Sequence, residues 1–266
     1  FHGSANGSVS EETSMHARHW LSGCLSILSL LLGGCAARGD ATRPIPTALI
    51  HASQPARRVV VVLPGRGDDL TGLQRQHAAQ IIQREWPDAD VVLTGLTMAY
   101  YKSGVATRRL HDEVIAPLQK RHAQVWLAGI SMGGMGVLMY DRDYPGQVDG
   151  MLLLSPYLGE ADIPREIRAA GGLATWRPGP VQPVGPATYT RELWRYLRQW
   201  SSEPARTRSV WLAYGADERL RAPIELMSPQ LPAGHVHMLP GHHNWTLWRV
   251  AMGDLLRAAH PAVQEK

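Results

Sequence analysis

The sequence predicts an α/β protein: a doubly wound, mostly parallel sheet with helices on both faces. Three observations predict it. Short apolar runs rich in β-branched residues recur along the chain. Segments with helical apolar spacing separate them. Most of the runs are continuously apolar rather than alternating, as strands covered on both sides must be. With 266 residues, 44% of them hydrophobic and 19% charged, the chain can fill one large core of this kind.

The elements follow in order. "RRVVVVLPG" is a buried strand ending in the turn at Pro64-Gly65. "LTGLQRQHAAQIIQRE" has helical spacing and stops before Trp86-Pro87, and "ADVVLTG" is the second strand. "ATRRLHDEVIAPLQKR" reads as a helix that Pro117 bends. "AQVWLAG" is the third strand, and "MGGMGVLMYDRDYP" a helix ended before Pro145. "VDGMLLLSP", "RSVWLAYG" and "HVHMLPG" are strands four to six, and "NWTLWRVAMGDLLRAA" is the closing amphipathic helix. The domain so defined spans residues 58–260. Residues 36–57 read as a tether, with a possible strand near Thr47 to His51. Residues 156–207 break the rhythm with no clear strand. Half of the stretch from Gly171 to Pro186 is Gly or Pro, and Tyr157, Trp176, Tyr189, Trp194, Tyr196 and Trp200 lie in this interval. Its position after a strand of a parallel sheet suggests a lid over the carboxyl edge. A surface excursion covering its own small core is the alternative.

Residues 1–35 are set apart from the fold. Phe1 to Ser14 reads as a polar upstream extension before Met15. From Met15 the chain has a basic start at Arg18 and an apolar stretch from Trp20 to Leu32, the layout of a secretory signal and short for a membrane span. It ends in Leu32-Gly33-Gly34-Cys35, which resembles a bacterial lipobox, in which Cys35 becomes the lipidated first residue. Cys24 has a similar Leu-Ser-Gly before it but too little apolar sequence upstream. The expectation is an exported, lipid-anchored protein of the bacterial cell envelope, at the outer membrane on its periplasmic side. Both cysteines lie in this leader, so the mature chain has no disulfide framework, cysteine nucleophile or zinc–thiolate site. The net charge of +4 comes without a basic run, which reads as scattered surface arginine rather than a nucleic-acid face.

The chemistry concentrates at "VWLAGISMGGMG". Gly129-Ile130-Ser131-Met132-Gly133 fits Gly-x-Ser-x-Gly between an apolar strand and an apolar helix. That turn lifts the serine hydroxyl above the sheet and leaves no room for side chains two residues either side. Ser131 is the candidate nucleophile. A serine needs a base, and the base an orienting carboxylate. "VWLAYGADERL" offers Asp217 after a late strand, with the adjacent Glu218 as alternative, and "MLPGHHNWTLW" offers His242 and His243. No lysine follows the glycines after Ser131, which excludes a Walker-type phosphate loop.

With these motifs the chain resembles the α/β-hydrolase superfamily, in particular its small esterase-like members, over roughly residues 58–260. Their Gly-Gly-His-Asp/Asn-Trp ending matches Pro240-Gly241-His242-His243-Asn244-Trp245 with His243 at the catalytic position; His242 in place of the second glycine keeps it as the alternative. The resemblance implies an oxyanion hole built from the backbone N–H groups of Met132 and, in "LPGRGDD", of Arg66, with Gly67 next. Arg66-Gly67-Asp68 also spells an adhesion tripeptide, read as coincidence. Met98, Tyr100 and Tyr101 line the pocket or pack as core, and His235 and His237 are structural. The expected activity is cleavage of small-molecule carboxylic esters through an acyl-enzyme, without metal or organic cofactor. Thioesterase, peptidase or acyltransferase chemistry would use the same triad, and a non-catalytic envelope binding protein would lack a triad member. Oligomeric state is not legible.

Overall fold

The structure, a computed structural model, describes residues 39–264, and side chains as far as residue 260. The leader, including Cys24 and Cys35, lies outside the described residues. Seven strands form one sheet: β1 (Thr47–Ile50), β2 (Arg58–Leu63), β3 (Ala89–Thr94), β4 (Gln124–Ile130), β5 (Gly150–Leu154), β6 (Val210–Gly215) and β7 (Val236–Leu239). Their order is β1-β3-β2-β4-β5-β6-β7; β1 pairs antiparallel with β3 and all other pairs are parallel. From β2 the chain crosses to β3 on one side and then returns past β2 to β4 on the other. The carboxyl ends of β2 and β4 therefore flank the point where winding reverses, where α/β sheets open a crevice.

Alternation along the strands divides the core in two. Val59, Val61 and Leu63 of β2 face one side with Leu127, Leu153 and Leu212; Val60 and Val62 face the other with Trp126, Ala128 and Leu152. The second side is covered by α2 (Ala78–Glu85) and α10 (Trp245–Gln264), which follow α1 (Leu70–Arg75) and β7 respectively, while α9 (Arg221–Met227) lies between β6 and β7. The expected single helix over residues 70–85 is broken because His77 adopts the left-handed conformation, φ +58°.

The first side is covered by a long helical stretch and by α6 (Met132–Asp143). α3 (Met98–Lys102) leads to α4 (Ala106–Leu110), a π-helical turn (His111–Ile115) and α5 (Ala116–Gln119). The bend expected at Pro117 takes this form. Pro117 has no N–H for the carbonyl four residues back, and the preceding Ala116 N–H donates to His111 O, five back.

Residues 156–207 form part of the same core layer. α7 (Asp162–Ala169) and α8 (Tyr189–Gln199) bury Trp176, Trp194 and Trp200 in one cluster with the sheet residues. Trp194 Nε1–H donates to Leu158 O at 2.9 Å, and Trp176 Nε1–H to Glu166 Oε1 at 2.8 Å. The expected lid is a packed layer in this structure, and its aromatics do not enclose a separate small core.

The expected tether also differs. β1 is the edge strand of the sheet, and the residues before it are pinned to the body: Ile45 N–H donates to Glu113 at 2.8 Å, and Gly95 N–H to Pro46 O at 2.7 Å. β1 is too short and too exposed to carry a strong apolar signal, which is why only a possible strand is legible there. Residues 39–57 thus belong to the folded body, ahead of the expected start at 58. Among the described residues no helix is long and apolar enough to cross a membrane.

Candidate active site

Ser131 follows β4 directly and takes φ +53°, ψ −112°, a conformation that costs a non-glycine residue on the order of 1–3 kcal/mol. The surroundings hold it there. Ser131 N–H donates to Leu154 O at 2.8 Å, and Ser131 O accepts from Tyr157 N–H at 2.9 Å and Gly134 N–H at 3.0 Å. The flanking glycines are sterically required. A Cβ on Gly129 would lie 2.4 Å from Gly133 O, and one on Gly133 would lie 2.2 Å from Leu63 O. Met132 begins α6, so its N–H points from the first turn of a helix, where backbone donors are unused by the helix itself.

His243 sits in the turn between β7 and α10. Its Nε2 is 2.9 Å from Ser131 Oγ and its Nδ1 is 3.2 Å from Glu218 Oε2. A carboxylate can only accept, so Nδ1 carries the proton and Nε2 is left to accept from the Ser131 hydroxyl. The ring meets Trp248 edge to face at 4.9 Å, and Trp248 is itself fixed by an Nε1–H bond to Ser155 Oγ at 3.1 Å. Asn244 caps α10, its Oδ1 accepting from Thr246 N–H at 3.0 Å.

The carboxylate that faces the imidazole is Glu218, which corrects the expectation of Asp217. β6 ends at Gly215, as expected from its run, and the turn after it places position 218 inward and leaves position 217 exposed. Glu218 has a fully enclosed side chain, and its Oε1 has no hydrogen-bond partner among the described residues. Asp217 is exposed and engages the histidine turn through its backbone: its N–H donates to Gly241 O at 3.0 Å and its carbonyl lies 3.1 Å from His242 Nδ1. His242 is exposed and is tied to that carbonyl, not to Ser131.

Arg66 lies in the turn from Gly65 to Asp68 that follows β2, with Arg66 and Gly67 exposed and Gly65 buried, closed by Asp68 N–H donating to Gly65 O at 3.2 Å. The turn is adjacent to the serine: a Cβ on Gly65 would be 3.5 Å from Ser131 Cβ. Asp68 fastens it to the histidine side of the site, accepting from Trp245 Nε1–H at 3.0 Å. That bond gives the Arg-Gly-Asp tripeptide a local structural role. Sequence reading did not find it, since Asp68 and Trp245 meet only through the fold.

Tyr100 is buried and hydrogen-bonds Arg43 O and Pro44 O, both at 3.2 Å, while Tyr101 packs against Gly136; both act as packing groups. His235 stacks on Trp211 at 3.6 Å, and burial pushes its imidazole below the ordinary value. His237 pairs with Asp254 at 2.5 Å. Neither histidine is bonded to the Ser131 group. Among the described residues no group of three or more His, Cys, Asp or Glu is placed to hold a metal ion.

A serine at a strained strand–helix turn of a parallel sheet, hydrogen-bonded to a histidine that a buried carboxylate orients, belongs to the class of α/β-hydrolase-fold serine hydrolases. The sequence model of the family described as "Putative esterase" matches residues 56–259, and the chain belongs to that family. The protein is an enzyme of the serine carboxylic ester hydrolase kind. Among curated proteins none matches the chain. Solved structures share the fold at low identity. Est1E from Butyrivibrio proteoclasticus is 13% identical with a TM-score of 0.54, covering 84% of this chain and 95% of its own. The fluorophosphonate-binding serine hydrolase FphF of Staphylococcus aureus is 13% identical with a TM-score of 0.56, covering 79% and 90%. A monoacylglycerol lipase of Paleococcus ferrophilus is 14% identical with a TM-score of 0.53, covering 82% and 100%.

Proposed function

We propose that the protein cleaves carboxylic esters through an acyl-enzyme on Ser131, with His243 as base and Glu218, in place of Asp217, as the orienting acid. The observation that carries this reading is the unbroken relay from Glu218 Oε2 through His243 to Ser131 Oγ, at 3.2 and 2.9 Å. Ser131 Oγ attacks the ester carbonyl as His243 Nε2 takes its proton. The backbone N–H groups of Met132 and Arg66 hold the tetrahedral oxyanion. The carbon–oxygen bond to the alcohol then breaks, and the imidazolium returns its proton to the departing alkoxide. A water attacks the acyl carbonyl, His243 takes its proton, and Ser131 leaves with that proton as the acid is released. Glu218 fixes the tautomer and stabilises the imidazolium throughout. The test is pre-steady-state hydrolysis of a p-nitrophenyl ester. The intact protein gives a burst of p-nitrophenolate matching the enzyme concentration, or a linear trace if acylation limits. Ser131→Ala lowers kcat by about 10⁶-fold in either case. Turnover that survives in Ser131→Ala contradicts the reading.

We also propose that Cys35 is the lipidated first residue of the mature protein, which then resides in the bacterial envelope, on the periplasmic side of the outer membrane. The support is the Leu-Gly-Gly-Cys ending of the apolar stretch; the residue after it, Ala36, is not the aspartate tied to inner-membrane retention. One acyl chain binds membranes only marginally, so stable attachment requires a multiply acylated cysteine. Cys35→Ser should release the protein from membranes and Cys24→Ser should not, read by detergent partition and intact mass. Membrane retention of Cys35→Ser with unchanged mass contradicts it.

A further inference from the structure

The first of the described residues lie on the same edge of the sheet as Ser131. β1 runs antiparallel to β3, with Thr47 opposite Thr94, so it starts at the carboxyl edge of the parallel strands. The residues before it stay there. Tyr100 OH donates to Pro44 O at 3.2 Å and Arg109 donates to Ala41 O at 2.5 Å. Gly39 abuts Thr97, just past the carboxyl end of β3: a Cβ on Gly39 would be 2.1 Å from Thr97 Oγ1. Ser131, His243 and the Gly65–Asp68 turn all follow carboxyl ends of strands at this edge.

The length of chain between Cys35 and Gly39 turns this into an orientation. The four steps from Cys35 to Gly39 span at most about 14 Å. A strand of seven residues such as β4 spans about 23 Å. With a lipidated Cys35, the amino edge of the sheet cannot rest on the membrane, because Gly39 would then stand farther from the surface than the chain reaches. The carboxyl edge can. Three strand spacings across the sheet, about 14 Å, separate β1 from β4, so Ser131 lies near the anchored corner. Arg43 and Lys102 are exposed beside that corner and suit anionic headgroups. Val181 and Val184 are exposed in the loop that leads into α8, whose first residues pack on the turn after β5 at the same edge: Glu160 N–H donates to Thr190 Oγ1 at 3.2 Å.

We propose that the anchored protein sits with its carboxyl edge on the bilayer surface, so that the esters it cleaves are acyl esters of membrane lipids. The proposal rests on the lipidation of Cys35 and on the serine-esterase reading, and the experiment separates the three. Once Cys35 is acylated the mature chain has no free cysteine. A fluorophore can therefore be placed by Lys102→Cys at the carboxyl edge or by Lys120→Cys, before β4, at the amino edge. The lipidated full chain is reconstituted in phosphatidylcholine–phosphatidylglycerol vesicles carrying a headgroup nitroxide. Quenching is expected to be several-fold stronger for Lys102→Cys. A Gly/Ser insertion of about twenty residues after Arg38, reaching roughly 25 Å, should remove the difference and slow hydrolysis of a vesicle-embedded phospholipid ester while leaving p-nitrophenyl acetate turnover unchanged. Equal quenching at both positions, or stronger quenching for Lys120→Cys, in acylated, vesicle-bound protein overturns the orientation alone. Unacylated protein in the aqueous fraction overturns the anchor and the orientation with it. Loss of p-nitrophenyl acetate turnover in the parent protein overturns the esterase reading instead.

Discussion

Asp217 and Glu218 are neighbours on one turn, yet only the second reaches His243, while the first spends its backbone on the histidine loop. Glu218→Gln should therefore lower kcat by about 10⁴-fold, the cost of a wrong tautomer, whereas Asp217→Asn should stay within a few-fold of the parent. Comparable losses in both variants would mean that the acid role is not confined to Glu218. His243→Ala should abolish turnover and His242→Ala retain most of it. The pairing of Ser131 with His243 was legible because each sits in a motif with a recognisable spacing. Which of the two adjacent carboxylates faces His243 was not legible, because that depends on the course of the turn after β6, which carries no residue signature here. The Asp68–Trp245 bond was illegible for a different cause: it joins residues far apart in the chain that only the sheet order brings together.

At the scale of elements, the turn around Ser131 depends on two glycines pressed against backbone. Gly133→Ala drives a methyl into Leu63 O, and backbone cannot yield as a flexible side chain can. We expect about 3 kcal/mol of lost stability, the upper part of the overpacking range, measured by urea unfolding, and loss of ester turnover in the protein that remains folded. A Gly133→Ala protein with native stability and rate would show that the turn tolerates the shift. The parallel strands were readable from continuous apolar runs, and the bend near Pro117 from the missing N–H. The role of residues 156–207 was not readable. Their Gly and Pro content signalled irregular chain correctly, but only packing shows that Trp176, Trp194 and Trp200 belong to the layer covering the sheet.

Across the whole molecule, the edge strand β1 is held at the amino edge by Asp90, which accepts from Ala52 N–H at 2.8 Å and pairs with His122 at 2.9 Å. Burial opposes ionisation of this carboxyl, but the bonds from His122 and Ala52 outweigh it and hold it below its ordinary value. A carboxyl depressed in the folded state stabilises fully above its unfolded value and loses that contribution as pH falls through the folded one. Asp90→Asn should therefore cost about 1–3 kcal/mol near neutrality, with the gap to the parent closing as the pH drops below about 4. A gap that stays constant from neutrality to that range would separate Asp90 from the acid response. The central claim concerns a single atom, Ser131 Oγ, and covalent labelling tests it most directly. Treated with a fluorophosphonate and digested, the intact protein should carry one phosphonyl group, on the peptide containing Ser131, and Ser131→Ala should carry none. A phosphonyl group on any other residue of the intact protein, or labelling that persists in Ser131→Ala, would contradict the account.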